Sequence, residues 1–171
     1  MKLFIYFFTP LLVFANPFTN LETFQAKFTQ SIINNSGKEI RYSGMIYAKK
    51  PYYIYWKYNN PIEKNVYLNK KEVVIIEPEL EQVIVSELKE EINILQLLQD
   101  ATQIAPNKYI SKLNNIEYSI LLQDDKLSQI TYKDEIDNKI IIYFENSLQN
   151  SSLDNNIFKY SIPEEFDIIQ K

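Results

Sequence analysis

The sequence G-M-I-Y-A-K-K-P-Y-Y-I-Y-W, from Gly44 to Trp56, joins two strand-like aromatic runs through a basic corner at Pro51. The second run alternates with a period of two, which predicts a β-strand. Its two faces carry Tyr52, Ile54, Trp56 and Tyr58 on one side and Tyr53, Tyr55 and Lys57 on the other. One apolar face can be ordinary core. The other needs a helix, a partner or a ligand to cover it, since monomers avoid large exposed apolar patches.

Short alternating segments on both sides of this stretch predict further strands. The predicted strands are 24–32, 40–48, 52–58, 65–68, 72–77, 80–86, 109–113, 116–122, 127–133, 139–145 and 158–162. Because the chain has only two Gly, Asn and Asp must serve at most turns, for example at Asn69-Lys70. Many antiparallel strands at short intervals predict a mainly β fold with short helices, as a large curved sheet or an open barrel.

Two helical interruptions are predicted. Residues 16–22 resemble a short helix start with an early Pro17. Residues 88–102 place Leu88, Ile92, Leu95, Leu98 and Thr102 at helical spacing before Pro106. The apolar stripe of this second helix predicts a permanently docked element, and a lid over a cavity is the alternative.

Residues 1–15 have the pattern of a cleaved secretion signal. Lys2 precedes an apolar run from Leu3 to Phe14, and Ala15 offers a small-residue cleavage site before Asn16. The run is too short for a membrane span, which needs about 20 residues. We therefore expect residues 16–171 to form a single exported domain in the periplasm.

The composition argues against several kinds of chemistry. The chain has no His and no Cys, so it cannot build a Ser–His triad, a Cys nucleophile or a zinc site of those ligands. The remaining candidates are carboxylates at Glu77, Glu79 and Glu81 and a pair at Asp124-Asp125, which are typical of solvated edges and turns. A net charge of −4 does not favour nucleic acid. We expect neither catalysis nor a metal or other cofactor.

Several short motifs occur in a particular order. The first motif is Phe24-x-Ala26-x-Phe28-Thr29-Gln30. It is followed along the chain by Gly44, Lys49-Lys50-Pro51, Trp56, Pro61 and Pro78-Glu79-Leu80-Glu81-Gln82. The last motif, near the end of the chain, is Phe158-Lys159-Tyr160-Ser161-Ile162-Pro163. In this order the motifs resemble the LolA-type periplasmic carriers of outer-membrane lipoproteins. The resemblance implies a half-open antiparallel barrel of about eleven strands with helices plugging a concave hydrophobic cavity.

The resemblance also implies a function and partners. Such a carrier holds the acyl chains of lipoproteins that an inner-membrane ABC transporter releases, and delivers them to the outer membrane. An outer-membrane lipoprotein receptor is a further candidate partner, and the carrier is expected to be a monomer.

Seven residues are predicted to bind lipid on this interpretation. They are Phe24 and Phe28 on the first strand, Tyr47, Ile54 and Trp56 near the cavity entrance, and Leu95 and Leu98 on the lid. Lys50 stands where the resemblance implies an Arg that tethers the plugging helices. Lys keeps the charge but lacks the planar fork of Arg, so a weaker or differently made latch is expected.

Other functions remain open from the sequence. A carrier of another amphiphile, such as a phospholipid or a glycolipid, would need the same apolar surfaces. A periplasmic module whose aromatic face binds a protein or a peptide is a different class. An enzyme that uses the carboxylates of Glu77–Glu81 comes last.

Overall fold

The computed structural model describes residues 16–69, 72–87 and 93–171. The predicted leader, residues 1–15, lies outside the described residues. So do Lys70 of the predicted hairpin turn and the first residues, 88–92, of the predicted second helix.

Most of the described chain forms β-strands. They are β1 (Thr23–Ile33), β2 (Glu39–Lys49), β3 (Tyr53–Asn60), β4 (Lys64–Asn69), β5 (Glu72–Glu77), β6 (Gln82–Glu87), β7 (Thr102–Ala105), β8 (Lys108–Leu113), β9 (Ile116–Gln123), β10 (Lys126–Lys133), β11 (Lys139–Gln149) and β12 (Asp167–Gln170). One α-helix, α1 (Ile94–Gln99), precedes β7, and 3-10 turns occupy Pro78–Leu80 and Asn155–Phe158.

The twelve strands form one sheet in the order β12-β6-β5-β4-β3-β2-β1-β11-β10-β9-β8-β7. All neighbours pair antiparallel except β12 and β6, which are parallel. The terminal strands β12 and β7 are not neighbours, so the sheet curves without closing. The predicted mainly β, half-open architecture is confirmed, with one strand more than expected.

Three local predictions were wrong. Residues 16–20 form hydrogen-bonded turns, not a helix, and Thr102 begins β7 instead of ending the second helix. Residues 158–162 form no strand, because their alternating apolar side chains pack flat on the sheet and pair with no strand edge. The last strand comes later, at β12.

The two faces of the sheet have separate apolar clusters. The inner, concave face carries the main core, which includes Phe24, Phe28 and Ile54 and all four buried side chains of α1. The outer face carries the Tyr side chains of β2, β3 and β4. These are Tyr47, Tyr53, Tyr55 and Tyr67. The chain after β11 lies across them, with Leu153 and Phe158 buried there. Both apolar faces of β3 are thus covered by the same chain.

Gly44 allows β2 and β3 to approach each other closely. The register of the two strands shifts between Ser43 and Gly44, where the backbone of Lys57 comes against the glycine. A Cβ atom at position 44 would collide with the carbonyl group of Lys57, which is backbone and cannot rotate away. The close approach therefore requires glycine at this position.

We expect Gly44→Ala to lower the free energy of unfolding by about 2 kcal/mol, because the added methyl group overpacks a fixed backbone contact. Urea denaturation measures the loss. The neighbouring Ser43→Ala is the control, with an expected change within about 0.5 kcal/mol. Equal stability of Gly44→Ala and the parent protein would contradict the close approach.

Candidate functional site

A cavity of about 430 Å³ lies between the inner face of the sheet and α1. Its walls are mostly apolar, with a few polar groups. The lining residues are Gln30, Trp56, Tyr58, Val66, Leu68, Ile94, Leu97, Asn114, Ile116, Tyr118, Ile130, Tyr132, Asp134, Glu135 and Ile142. A volume of this size is typical of pockets that bind small molecules.

The cavity lies toward one end of the sheet. The turns at residues 34–38, 61–63, 114–115 and 134–138 meet at this end, because antiparallel pairing alternates the strand directions. We call it the open end, since the polar lining residues Asn114, Asp134 and Glu135 lie in its turns. At the opposite end, which we call the lid end, residues 16–22 and the end of α1 cover the core.

Aromatic rings stiffen one wall of the cavity. The ring of Phe28 lies edge-on to Trp56, with 4.9 Å between ring centroids, and edge-on to Tyr58 at 5.1 Å. Such pairs are favourable beyond the area that they bury. The Tyr58 hydroxyl also lies 3.3 Å from the side-chain oxygen of Gln30, to which it donates. This wall is preformed and does not depend on a ligand.

The structure brings six of the seven predicted lipid-binding residues into one cluster on the inner face. Among them only Trp56 lines the cavity, while Phe24, Phe28 and Ile54 are buried behind its surface. Tyr47 lies on the outer face, stacked 5.8 Å from Tyr55. Its position follows from strand parity: the inner-facing neighbours on β2 are Ile46 and Ala48, so Tyr47 points the other way.

Two residues of α1 line the cavity although they were not among the predicted lipid-binding residues. Ile94 and Leu97 line the cavity, whereas the predicted Leu95 and Leu98 are buried in the core. Asn93 caps the start of the helix, because its side-chain oxygen accepts hydrogen bonds from the backbone N–H groups of Leu95 and Gln96. An Asn before an apolar run is a recognised helix start, so this signal was present in the sequence.

The end of α1 is held by Asn16. The side-chain amide nitrogen of Asn16 lies 2.8 to 3.0 Å from the carbonyl oxygens of Leu98, Gln99 and Ala101 and donates to them. Its side-chain oxygen accepts from the N–H of Phe18 at 2.8 Å, which orients the amide. The last carbonyl groups of a helix lack partners within the helix, so this single side chain satisfies several of them.

A second contact fixes the same end of the helix. Gln99 donates from its side-chain nitrogen to the carbonyl oxygen of Leu21, at 3.0 Å. We call these contacts of Asn16 and Gln99 the tether. No local sequence pattern indicates either residue, because both contacts join segments about 80 residues apart.

Lys50 has a different partner from the one expected. Its ammonium group lies 2.8 Å from a carboxylate oxygen of Glu22, and its backbone N–H donates to the carbonyl of the same residue at 2.9 Å. Lys50 therefore holds the segment that carries the tether, and not the helix itself. A latch role for Lys50 stays a prediction, now through Glu22.

Two tyrosines meet across β9 and β10 on the inner face. The rings of Tyr118 and Tyr132 lie 4.8 Å apart between centroids, and both line the cavity. Burial raises the pKa of Tyr132 to about 12, with Tyr118 and Asp134 adding to the rise. Burial also raises the pKa of Tyr118. Both rings are therefore neutral in the physiological range.

Within the described residues no group of three or more His, Cys, Asp or Glu side chains could hold a metal ion. No helix in the same residues is long and apolar enough to cross a membrane.

The raised pKa of Tyr132 predicts a loss of stability at high pH. A tyrosine of the unfolded chain ionises near pH 10, while Tyr132 in the folded protein stays neutral until about pH 12. The stability contribution of this group is therefore complete below about pH 10 and is lost as the pH rises toward 12, by at most about 2.7 kcal/mol. We expect Tyr132→Phe to make the pH dependence of urea denaturation shallower over this range. The exposed Tyr143→Phe is the control, and equal slopes for both variants would contradict the prediction.

Comparison with known proteins identifies relatives over most of the chain. A protein from Campylobacter jejuni is 36% identical over 151 residues, which cover 88% of each chain. One from Wolinella succinogenes is 35% identical and covers 90% of each chain, and one from Helicobacter pylori is 30% identical over 89% of this chain and 82% of its own. Each bears the name outer-membrane lipoprotein carrier protein.

Solved structures support the same fold. An uncharacterised conserved protein from Thermus thermophilus superposes with a TM-score of 0.55 at 11% identity, covering 90% of this chain and 93% of its own. A LolA superfamily protein from Nitrosomonas europaea has a TM-score of 0.51 at 9% identity, covering 82% and 91%. The sequence profile described as outer membrane lipoprotein carrier protein LolA matches residues 19–111. The chain therefore belongs to the LolA family of outer membrane lipoprotein carrier proteins.

Proposed function

We propose that this protein carries lipoproteins by holding their acyl chains between the inner face of the sheet and α1. The observation that supports this most directly is the apolar cavity whose roof is a short helix, with Ile94 and Leu97 reaching into it. The relatives named above as outer-membrane lipoprotein carrier proteins support the choice of cargo.

The cavity without helix movement has room for about one acyl chain. A methylene group occupies about the volume of a water molecule in the liquid, ~30 Å³, so 430 Å³ corresponds to roughly 14 such groups. A lipoprotein with two or three acyl chains needs more space. Moving α1 off the inner face would supply it and would uncover the predicted residues Phe24, Phe28 and Ile54.

The burial free energies of α1 and of one acyl chain are similar. The four buried side chains of α1 contribute roughly 6 to 12 kcal/mol of burial. One acyl chain of about 16 carbons contributes roughly 13 kcal/mol at 0.8 kcal/mol per methylene. Displacing the helix to admit a second chain thus offsets most of the gain from burying that chain. Such a balance lets a carrier bind its cargo and still release it.

The remaining parts of the proposal concern location and partners. Residues 1–15 would direct export and be removed after Ala15, which leaves Asn16 at the start of a periplasmic domain formed by residues 16–171. The partners would be an inner-membrane ABC transporter that releases lipoproteins and an acceptor at the outer membrane, either the membrane itself or a receptor. The protein would act without catalysis or cofactor, as a monomer.

Depletion in the bacterium tests the function as a whole. We expect triacylated lipoproteins to accumulate at the inner membrane after depletion, measured by fractionation and immunoblotting. Normal sorting of lipoproteins would contradict the proposed function. Native mass spectrometry of protein purified from the periplasm then distinguishes the cargo, because a bound phospholipid or glycolipid would indicate a carrier of another amphiphile.

Competition between helix and ligand predicts opposite effects of two variants. Leu97→Ala weakens the docking of α1, so we expect about tenfold tighter binding of a triacylated lipopeptide together with lower stability. Trp56→Ala removes a wall of the cavity, and we expect about tenfold weaker binding. Displacement of a fluorescent fatty acid measures both affinities. Weaker binding by both variants would show that α1 is a fixed wall and not a competitor.

The tether predicts the mobility of α1. Asn16→Ala removes the side-chain donor shared by the carbonyl groups of Leu98, Gln99 and Ala101, at a net cost of about 1 to 2 kcal/mol. We expect about tenfold faster amide hydrogen exchange over residues 94–99 and tighter lipopeptide binding. Lys50→Leu should give a smaller effect in the same direction, since Lys50 acts through Glu22. Asn59→Ala, at an exposed position of β3, is the matched control. Unchanged exchange in Asn16→Ala would contradict the tether.

A further inference from the structure

Strands β9 and β10 separate before they reach the open end. The first pair is Lys126 with Gln123 and the last is Thr131 with Ser119, where the pairing of the two strands stops. Beyond that point β9 continues to pair with β8 as far as Ile116, and β10 continues to pair with β11 as far as Lys133. The described residues therefore leave a gap in the sheet between the first part of β9 and the end of β10.

The gap lies beside the cavity. A surface groove lies between residues 114–117 on one side and residues 131–135 on the other. It shares five lining residues with the cavity, at Asn114, Ile116, Tyr132, Asp134 and Glu135. The cavity and the groove therefore adjoin at the open end of the sheet.

The ring pair of Tyr118 and Tyr132 marks the boundary between the two spaces. Tyr132 lines both of them, while Tyr118 lines only the cavity and is 2% exposed. Inward of this pair the walls are apolar, for example at Ile130 and Ile142. Outward of it the groove carries Glu117, Lys133, Glu135 and Lys139. The cavity is therefore mostly apolar inward of the ring pair, and the groove is charged outward of it.

The charges of the groove have no dominant sign. Lys112 lies 3.8 Å from Glu117 and Lys133 lies 3.7 Å from Asp137, and all four side chains are exposed. Such exposed pairs are weak and exchange easily with solvent. They offer no strong site for an anionic headgroup, which would be bound by a cluster of like positive charges.

We propose that the gap between β9 and β10 is the exit for the polypeptide of the cargo, so that the residues directly after the acylated cysteine lie in the groove. This inference rests on the proposed function. The acyl chains would occupy the cavity inward of Tyr118 and Tyr132. An extended peptide is the occupant that fits, because the separated strands present backbone edges to which a peptide backbone can hydrogen-bond. Recognition through the backbone tolerates different sequences, as a carrier of many lipoproteins requires.

Single-cysteine labelling tests the exit, because the chain has no cysteine of its own. Glu117→Cys and Glu135→Cys place a thiol on each side of the gap. Lys38→Cys is a control in another turn of the open end, and Lys27→Cys is a control on the outer face of β1. The probe is a synthetic triacylated lipopeptide whose fourth residue is a cysteine activated as a thiopyridyl disulfide. The labelling rate of each variant by the lipopeptide is divided by the rate at which the same variant reacts with a water-soluble disulfide.

We expect labelling of the two gap positions to be at least tenfold faster than labelling of the two controls. Equal or faster labelling of Lys38→Cys would overturn the exit while leaving the carrier function intact. Failure of the lipopeptide to displace a fluorescent fatty acid from any variant would overturn the proposed function as well. The two failures are therefore distinguishable.

Closing the gap gives an independent measurement. The double variant Glu117→Cys/Lys133→Cys can be bridged across the gap with a short bis-maleimide. We expect the bridged protein to bind the fluorescent fatty acid as before but to bind the lipopeptide at least tenfold more weakly than the unbridged variant. Unchanged lipopeptide affinity after bridging would overturn the exit through this gap.

Discussion

An open sheet cannot cover its own concave face, and the rest of this structure follows from that constraint. In a closed barrel, side chains from opposite strands meet across the axis. Here β12 and β7 stay apart, and the inner core must be completed by α1 and residues 16–22. A helix of six residues is too small to fill the space, so a cavity of about 430 Å³ remains beside it. The unfilled space lowers the packing energy of the empty protein, and the same space gives an acyl chain a place to bind.

On the outer face of the sheet, where no ligand is needed, the chain itself covers the apolar side chains. The rings of Tyr55 and Tyr67 stack at 4.3 Å, and the segment after β11 buries Phe158 against the neighbouring Tyr53. This cover begins beside β11 and ends in β12, which pairs along its length with β6. It is thus anchored at both ends by strand pairing. The inner cover also lies between paired strands, since α1 follows β6 and precedes β7. Side-chain hydrogen bonds from Asn16 and Gln99 hold the end of α1 in addition.

Sequence patterns predicted the sheet better than the site. Alternation located ten of the twelve strands, and the scarcity of Gly correctly implied Asn and Asp turns: in the described residues, eight of the nine non-Gly positions with positive φ are Asn or Asp. Alternation fixes the spacing of a strand but not the absolute face, and so Tyr47 was assigned to the wrong side. The last predicted strand was wrong because alternating side chains at Phe158 and Tyr160 also suit a segment lying flat on a sheet. Asn16 and Gln99 were missed because contacts across 80 residues leave no local pattern.

The chemistry of the tether matches the small energy difference that it must control. An amide such as Asn16 forms neutral hydrogen bonds, each worth about 0.5 to 1.5 kcal/mol net, whereas a charged donor would contribute about 1.5 to 3. When burial of the helix and burial of an acyl chain nearly cancel, a strong latch would keep the cavity shut and the absence of one would leave the cargo bound. In the proposed competition between helix and acyl chain, a weak tether would bias the exchange toward the closed form without dominating it. The charge of Lys50 is meanwhile engaged by Glu22, in the segment that presents Asn16 and the carbonyl of Leu21. The ionic contact thus sets the position of the tether, and the neutral contact sets its strength.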